Sequence, residues 1–287
     1  MQIAVASGKG GTGKTTVSVN LFHFIKKFLN KNVQLTDCDV EEPNDIFFLK
    51  NPDLQKKQEI FQLVPEINNN CTFCKKCEDW CEFSAITIVS RIKFAEVNED
   101  LCHSCGACTL ACNFNAITEK EISVGEVSYY KLKDGRRFTE GRLKVGSPMQ
   151  TFLIRQLKKL SSLNDSITIL DAPPGTSCPV VETISGSDLV ILVTEPTPFG
   201  LYDLKLTVKL LNETKIPYGV IVNKAGLGSD EVYSYLEQNK IALLGEIPFS
   251  KHYAGLYASG KILHESTMEN ERIYREIINK ISSLSGL

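Results

Sequence analysis

The chain has 287 residues, enough for one large or two modest domains with a substantial core. A net charge of −2 and a hydrophobic content of 43% describe an ordinary soluble globular protein, without the basic excess that would mark nucleic acid as its main partner. No apolar run reaches the ~18 residues of a membrane span, and no charged segment followed by an apolar one opens the chain, so a secretory signal is not expected and the protein is read as cytoplasmic. Gln2 to Ala6 then predicts a short buried strand. It is followed by the loop "GKGGTGKTT" and by Val17, Leu21, Phe24, Ile25 and Phe28 at helical spacing. Strand, glycine loop and helix in that order make a phosphate-binding loop, complete with Gly8, Gly13, Lys14 and Thr15. Gly8, Gly10, Gly11, Thr12 and Gly13 would turn backbone N–H groups toward the phosphates of ATP or ADP, with Thr16 closing the set, and the helix N-terminus adds positive potential. Lys14 should reach the β- and γ-phosphates, and the Thr15 hydroxyl should ligate Mg²⁺.

Lys9 is surplus to that loop, and by spacing alone it is a solvated lysine on a loop tip. The whole string, however, resembles the deviant Walker A motif, x-K-G-G-x-G-K-[TS]-T, of the MinD/ParA/Mrp ATPases, a group that includes the nitrogenase iron protein. The resemblance implies that Lys9 crosses a dimer interface to the other subunit's nucleotide, and that the ATP-bound state is a homodimer. Val33 to Asp37 predicts the second strand, which empties into Cys38, Asp39 and a loop ending at Pro43-Asn44. An acid at the carboxyl end of a parallel strand faces the ligand side of an open α/β sheet. The resemblance implies that Asp39 orients the attacking water. Asp37 either supports the Mg²⁺ shell or, as a bland alternative for both acids, forms a turn or cap.

Ten cysteines set the next segment apart, and in a cytosolic chain they point to metal or redox chemistry rather than disulfides. Cys71, Cys74, Cys77 and Cys81 form a C-x₂-C-x₂-C-x₃-C run, and Cys102, Cys105, Cys108 and Cys112 repeat it, with Phe83 matching Phe114. Structural zinc usually takes C-x₂-C pairs separated by a longer gap. Two 4Fe–4S clusters fit the spacing better, with the fourth thiolate of each run serving the other cluster. One ligand set is then Cys71, Cys74, Cys77 and Cys112, and the other is Cys102, Cys105, Cys108 and Cys81. The runs resemble bacterial two-cluster ferredoxins over about residues 64–120, except that Glu82 and Asn113 stand where a proline usually follows the fourth cysteine. Trp80, Phe83 and Phe114 are expected to pack this lobe, and His103 to be solvated.

Residues 121–130 and 137–145 predict a hairpin around Lys133-Asp134-Gly135, and Ser147-Pro148 opens a helix through Leu160. Ile167 to Asp171 is an apolar strand ending in an acid, followed by "APPGT", a Walker B and switch II arrangement in which Asp171 holds Mg²⁺ through water and Gly175 lets the backbone approach the γ-phosphate. Two further strands run over residues 190–196 and 218–224. By resemblance to related ATPases Asn223 reads the adenine edge, and the strand over 242–248 leaves near the base. Cys38 and Cys178 are by default small hydrophobes. Cys178 has a second reading, because it follows Asp171 by the same seven residues that separate switch II from a cluster-ligating cysteine in the nitrogenase iron protein. Ile273, Ile277, Ile278, Ile281 and Leu284 predict an amphipathic C-terminal helix that packs on the core rather than on a membrane.

The expected architecture is therefore a doubly wound, mostly parallel α/β P-loop NTPase domain (residues 1–63 and 121–287), interrupted by a small α+β bacterial-ferredoxin-like domain at 64–120. The expected function is Mg²⁺-dependent ATP hydrolysis, using Lys9, Lys14, Asp39 and Asp171. ATP-driven dimer closure would be coupled to electron transfer, or to cluster or metal-centre assembly, with a redox or metal-centre protein as partner. The alternative is an ATP-dependent dimerisation switch or scaffold in which the clusters are structural or sense redox state.

Overall fold

Short strands that are buried along their whole length alternate here with helices that bury one stripe, and this pattern dictates a sheet covered by helices. The computed structural model describes residues 1–161, 166–262 and 267–286. In chain order the elements begin with β1 (Gln2–Ala6), α1 (Lys14–Leu29), β2 (Val33–Asp37) and β3 (Asp53–Ile67). Next come α2 (Lys76–Asp79), β4 (Ile86–Val89), β5 (Phe94–Val97), α3 (Ala107–Ala111), β6 (Ile117–Lys131) and β7 (Arg137–Leu143). The remainder is α4 (Gln150–Ser161), β8 (Ile167–Asp171), α5 (Cys178–Ile184), β9 (Leu189–Thr194), α6 (Pro198–Thr214) and β10 (Tyr218–Ala225). The chain closes with α7 (Glu231–Gln238), β11 (Leu243–Pro248), α8 (Lys251–Ala258) and α9 (Met268–Ser285).

Two compact units form. The first contains Met1–Gln58, Val127–Arg142 and the chain from Gln150 onward; the second contains Glu59–Glu126 and Leu143–Met149. In the first, the sheet order is β11-β10-β9-β1-β8-β2-β7, continued at its edge by β6 and β3. Every pairing from β11 to β7 is parallel. Strands β2, β8 and β9 are buried at every residue, as a parallel sheet between helices requires. The core joins Ile3 and Val5 of β1, Phe22, Phe24 and Ile25 of α1, and Leu35, Ile169 and Ile191 from the neighbouring strands. The apolar stripe of α9 completes it: Tyr274, Ile277, Ile278 and Ile281 are buried, and the helix packs on β11 and α1. Thr197 caps α6 by accepting the Gly200 N–H, and Thr267 caps α9 by accepting that of Asn270. No helix among the described residues is long and apolar enough to cross a membrane.

In the second unit β4 and β5 pair antiparallel, from Ile86 opposite Val97 to Val89 opposite Phe94, and α2 lies against α3. Its apolar centre is small and includes thiols: Ile86, Ile88, Ile117 and Cys108 in one cluster, Val64, Ala85 and Cys102 in another. Trp80 departs from the expected packing role and is 59% exposed. Phe83 lies flat on the His103 ring, with centroids 3.7 Å apart, while His103 stays exposed, as expected of a solvated histidine. β3 has no counterpart in the sequence reading. Toward its end Ile60, Gln62 and Val64 are buried while Phe61 and Leu63 are exposed, so apolar residues stand on both faces and hide the alternation.

Ile277 is fully buried, and its side chain occupies the space a Cβ on Gly245 of β11 would need. Ile277→Ala should cost about 2–5 kcal/mol through lost burial and a residual cavity, read as a lower denaturant midpoint at an unchanged slope.

Candidate functional site

At the carboxyl end of β1 the chain turns through Ser7–Gly13 and enters α1 at Lys14. The turn needs left-handed backbone at Gly11 (φ 76°) and Gly13 (φ 95°). A Cβ on Gly13 would also lie 2.1 Å from the Asn223 amide nitrogen, whereas one on Gly10, Gly11 or Gly175 would meet nothing within 4 Å. The loop is thus packed from beneath and open above, and the buried Thr12 hydroxyl has no protein partner. This is the donor-rich, open cradle that a phosphate chain fits. Gly175, after β8, donates its N–H to the Ser7 carbonyl at 3.1 Å, which ties the "APPGT" turn to the loop.

Asp171 stands beside Val5 in the parallel register and anchors α1. Its Oδ2 accepts the Thr15 hydroxyl at 2.7 Å and its Oδ1 the Ser18 hydroxyl at 2.8 Å. Burial pushes this carboxyl up, against the opposing pull of Lys14 and of the two hydroxyls. One strand over, Asp37 accepts the N–H of Asp39 at 3.0 Å, of Asn44 at 2.8 Å and of Asp45 at 3.0 Å. It therefore folds the 38–45 loop back on itself, a turn-forming role. Asp39, on that loop, is half-buried, and burial followed by the Asp171 charge raises its carboxyl to about 6. Asp45, which sequence reasoning did not single out, is fully buried, and oxygens of Asp37, Asp45 and Asp171 lie within 4.8 Å of one another. Burial first, then the neighbouring acids, push Asp37 and Asp45 well above the ordinary carboxylate range.

Lys9 is engaged within its own chain. Its Nζ donates to Glu195 Oε1 at 2.5 Å, while Lys224 Nζ donates to Glu195 Oε2 at 3.0 Å and to the Gly11 carbonyl at 2.8 Å. Partial burial would raise the Glu195 carboxyl, but the two lysine hydrogen bonds outweigh it and hold the group below its ordinary value. Glu195 and Lys224 escaped the sequence reading although each adjoins a predicted strand end. Beside the loop, Gly11, Gly13, Thr16, Asn223, Phe249, Tyr253 and Tyr257 line a cavity of about 200 Å³. Asn223 lines it while its Nδ2 donates to the Thr12 carbonyl at 2.7 Å, so its amide also braces the phosphate loop.

The eight cysteines of the two runs all fall in the second unit, and the duplication extends to the backbone. Left-handed residues recur at equivalent positions: Phe73 and Ser104, Lys75 and Gly106, Ser84 and Asn115. Backbone N–H groups point at equivalent sulfurs, from Phe73 to Cys71 and Ser104 to Cys102, then from Ala85 to Cys81 and Ala116 to Cys112. Cys71, Cys74, Cys77 and Cys112 line one pocket, and Cys81 packs with Cys102. Burial pushes the Cys77 thiol up to about 11, and raises Cys102 and Cys108 as well. Four thiolates on one tetrahedral zinc sit only about 3.8 Å apart. Among the described residues no three sulfurs gather within 4.8 Å of one another. Cys38 is buried as a small hydrophobe; Cys178, at the first position of α5, is exposed and is not one.

A parallel sheet whose first strand passes through a glycine loop into a helix, with Asp171 at the end of β8 accepting from that helix, defines a P-loop nucleotide-binding protein. The chain belongs to the family of the CobQ/CobB/MinD/ParA nucleotide binding domain, whose model matches residues 3–263. An uncharacterised protein of Methanocaldococcus jannaschii is 35% identical over 91% of this chain and 90% of its own length. An iron–sulfur cluster carrier protein of Pyrococcus horikoshii is 26% identical over 85% of this chain and 67% of its own. The cell division ATPase MinD of Pyrococcus furiosus superposes with a TM-score of 0.60, covering 99% of this chain and 98% of that one at 16% identity, a likeness of fold alone.

Gly13→Ala combines a left-handed backbone, which costs about 1–2 kcal/mol for a residue with a Cβ, with displacement of the Asn223 amide. Nucleotide affinity, titrated with a fluorescent ATP analogue, should fall by about tenfold or more while circular dichroism stays unchanged.

Proposed function

We propose that the protein is a Mg²⁺-dependent ATPase that closes as a homodimer on ATP and couples that closure to two 4Fe–4S clusters held by the second unit. The observation that carries this reading is the duplicated cysteine backbone, with paired left-handed turns and paired N–H to sulfur bonds, in the same chain as a complete phosphate loop. An N–H directed at sulfur favours the thiolate, the form that ligates iron. Cys71, Cys74, Cys77 and Cys112 hold one cluster in this reading, and Cys102, Cys105, Cys108 and Cys81 the other. The clusters supply one-electron chemistry, or are themselves the cargo delivered to a partner protein. The family relative named as an iron–sulfur cluster carrier supports this direction.

In the nucleotide site Lys14 and the loop N–H groups bind the β- and γ-phosphates, and Thr15 would hold Mg²⁺ directly and Asp171 through water. Mg²⁺ supplies charge neutralisation on the phosphates. Asp39 accepts a hydrogen bond from the attacking water and aligns it with the γ-phosphorus. Asn223 and the aromatic wall of the cavity receive the base. Lys9 leaves Glu195 and reaches the partner's nucleotide, adding positive charge where the transition state gathers negative charge. The MinD-like fold favours a second reading, a dimerisation switch in which the clusters only stabilise or sense redox state.

The crossed ligand sets predict a pattern among serine variants. Cys112→Ser and Cys74→Ser, alone or together, should each leave about half the iron of the anaerobically reconstituted protein, whereas Cys81→Ser with Cys112→Ser should remove nearly all of it. A Cys74/Cys112 double variant with far less iron than either single variant would rule out the shared site. The coupling is tested by measuring ATPase rate and ATP-dependent dimerisation with clusters oxidised, reduced and removed. Both should change with cluster state, and indifference of both would leave the switch. Lys9→Ala should lower dimerisation and turnover by about 10²-fold or more while ATP affinity changes little.

A further inference from the structure

The two halves of the second unit share a backbone but not a charge. Residues 71–94 carry four basic and three acidic side chains, whereas residues 95–120 carry one basic and four acidic ones. The difference begins in the ligand loops, where Lys75 and Lys76 stand in the first run at the places of Gly106 and Ala107 in the second. The turn from β4 to β5 adds Arg91 and Lys93. It is tied to the first loop, because the Ser90 hydroxyl donates to the Phe73 carbonyl at 2.6 Å and the Ile88 N–H donates to Glu78 at 2.9 Å. Lys75 is paired with Glu78, but among the described residues no ion pair includes Lys76, Arg91 or Lys93. In the other half Lys120 is spent on Glu99 at 2.6 Å, and Asp100 beside it is exposed. Exposed apolar side chains accompany the basic set: Val89, Ile92 and Phe94 are 40%, 69% and 42% exposed around the turn. A small apolar patch rimmed by charge marks a protein contact. Cys74, the exposed cysteine of the first run, lies on the loop this turn touches, and its exposed counterpart Cys105 lies in the acidic half.

We propose that the 89–94 turn and Lys76 form the docking face for a small acidic one-electron carrier protein, which delivers its electron at the first ligand loop. The inference rests on the cluster reading and extends it, naming the partner's charge and its point of entry. One electron leaves the reduced carrier and passes to the group held by Cys71, Cys74, Cys77 and Cys112; no bond forms or breaks. Electron-transfer encounters need only small contact areas, so three apolar side chains with a charged rim suffice. Opposite charge steers the carrier to this end, and like charge turns it from the acidic half. Anionic lipid would meet the same cations but has no use for the exposed Cys74 beside them, which favours a redox protein.

The test is anaerobic binding of the full, reconstituted chain to an immobilised acidic two-cluster bacterial ferredoxin, at about 20 mM and about 300 mM salt. Wild-type affinity should fall by about tenfold or more at the higher salt. Arg91→Glu with Lys93→Glu should lower it by about the same factor at low salt, with iron content and visible absorption unchanged. Ile92→Ser should weaken binding at both salt concentrations, and Asp100→Ser at neither. Reduction of the chain by the same ferredoxin in its reduced form should slow in step with the lost affinity of the charge variant. Should that variant lose iron, Arg91→Gln decides in its place. Equal binding by wild type and the charge variant would overturn the face, as would wild-type binding to phosphatidylserine-containing vesicles but not to the ferredoxin. A chain that takes up no iron would instead overturn the cluster reading on which the face rests.

Discussion

Thr15 and Ser18 are three residues apart on one helix, and both give their hydroxyl protons to the Asp171 carboxylate. Residues at that spacing share a helix face, so the pair fixes the rotation of α1 as well as its distance from β8. The phosphate loop is the segment between β1 and this helix, and its glycine conformations follow from where the two ends are held. The Asn223 amide under Gly13 then closes the loop from β10. The site is a consequence of sheet order: β8, β1, β9 and β10 are successive neighbours, and each delivers one group at its carboxyl end. Ligands bind at that end of open α/β sheets for this reason.

The same order concentrates acid. Asp37 and Asp171 are direct neighbours in the β2–β8 register, so their carboxyls start close before any loop is built. The 38–45 loop then folds back on Asp37 and brings Asp45 into the interior as well. A chain selected only for stability would have little use for such a grouping, because packed apolar residues are usually the better core. In the second unit the same economy of polar contact serves thiols, with backbone N–H groups instead of side chains as donors and a left-handed residue recurring two residues after the first cysteine of each run.

What could be read in advance was what is local. Gly8 to Thr16 lies in one stretch, and the two cysteine runs announce themselves by repetition, so both were legible without coordinates. Strands 2–6, 33–37 and 167–171 were legible too, because complete burial in a parallel sheet leaves a plain apolar run. The rest depends on chain reversal. Asp45 becomes part of the acid group only because Asp37 captures its N–H. Glu195 meets Lys9 across 186 residues of sequence. β3 carries Phe61 and Leu63 on its exposed face and so shows no binary pattern, and Trp80 has the composition of a core residue at an exposed position.

Glu195 lies between Lys9 and Lys224, less exposed than either. A lysine that leaves such a partner for a phosphate on a second subunit exchanges one ion pair for another. Counterions are then neither gathered nor released in proportion, because the same ammonium is neutralised before and after. Screening weakens the pair that is lost as well as the pair that is gained, and the two effects oppose each other. In the dimer proposed above, association through Lys9 would thus acquire a built-in indifference to ionic strength, which a lysine standing free on a loop tip could not provide.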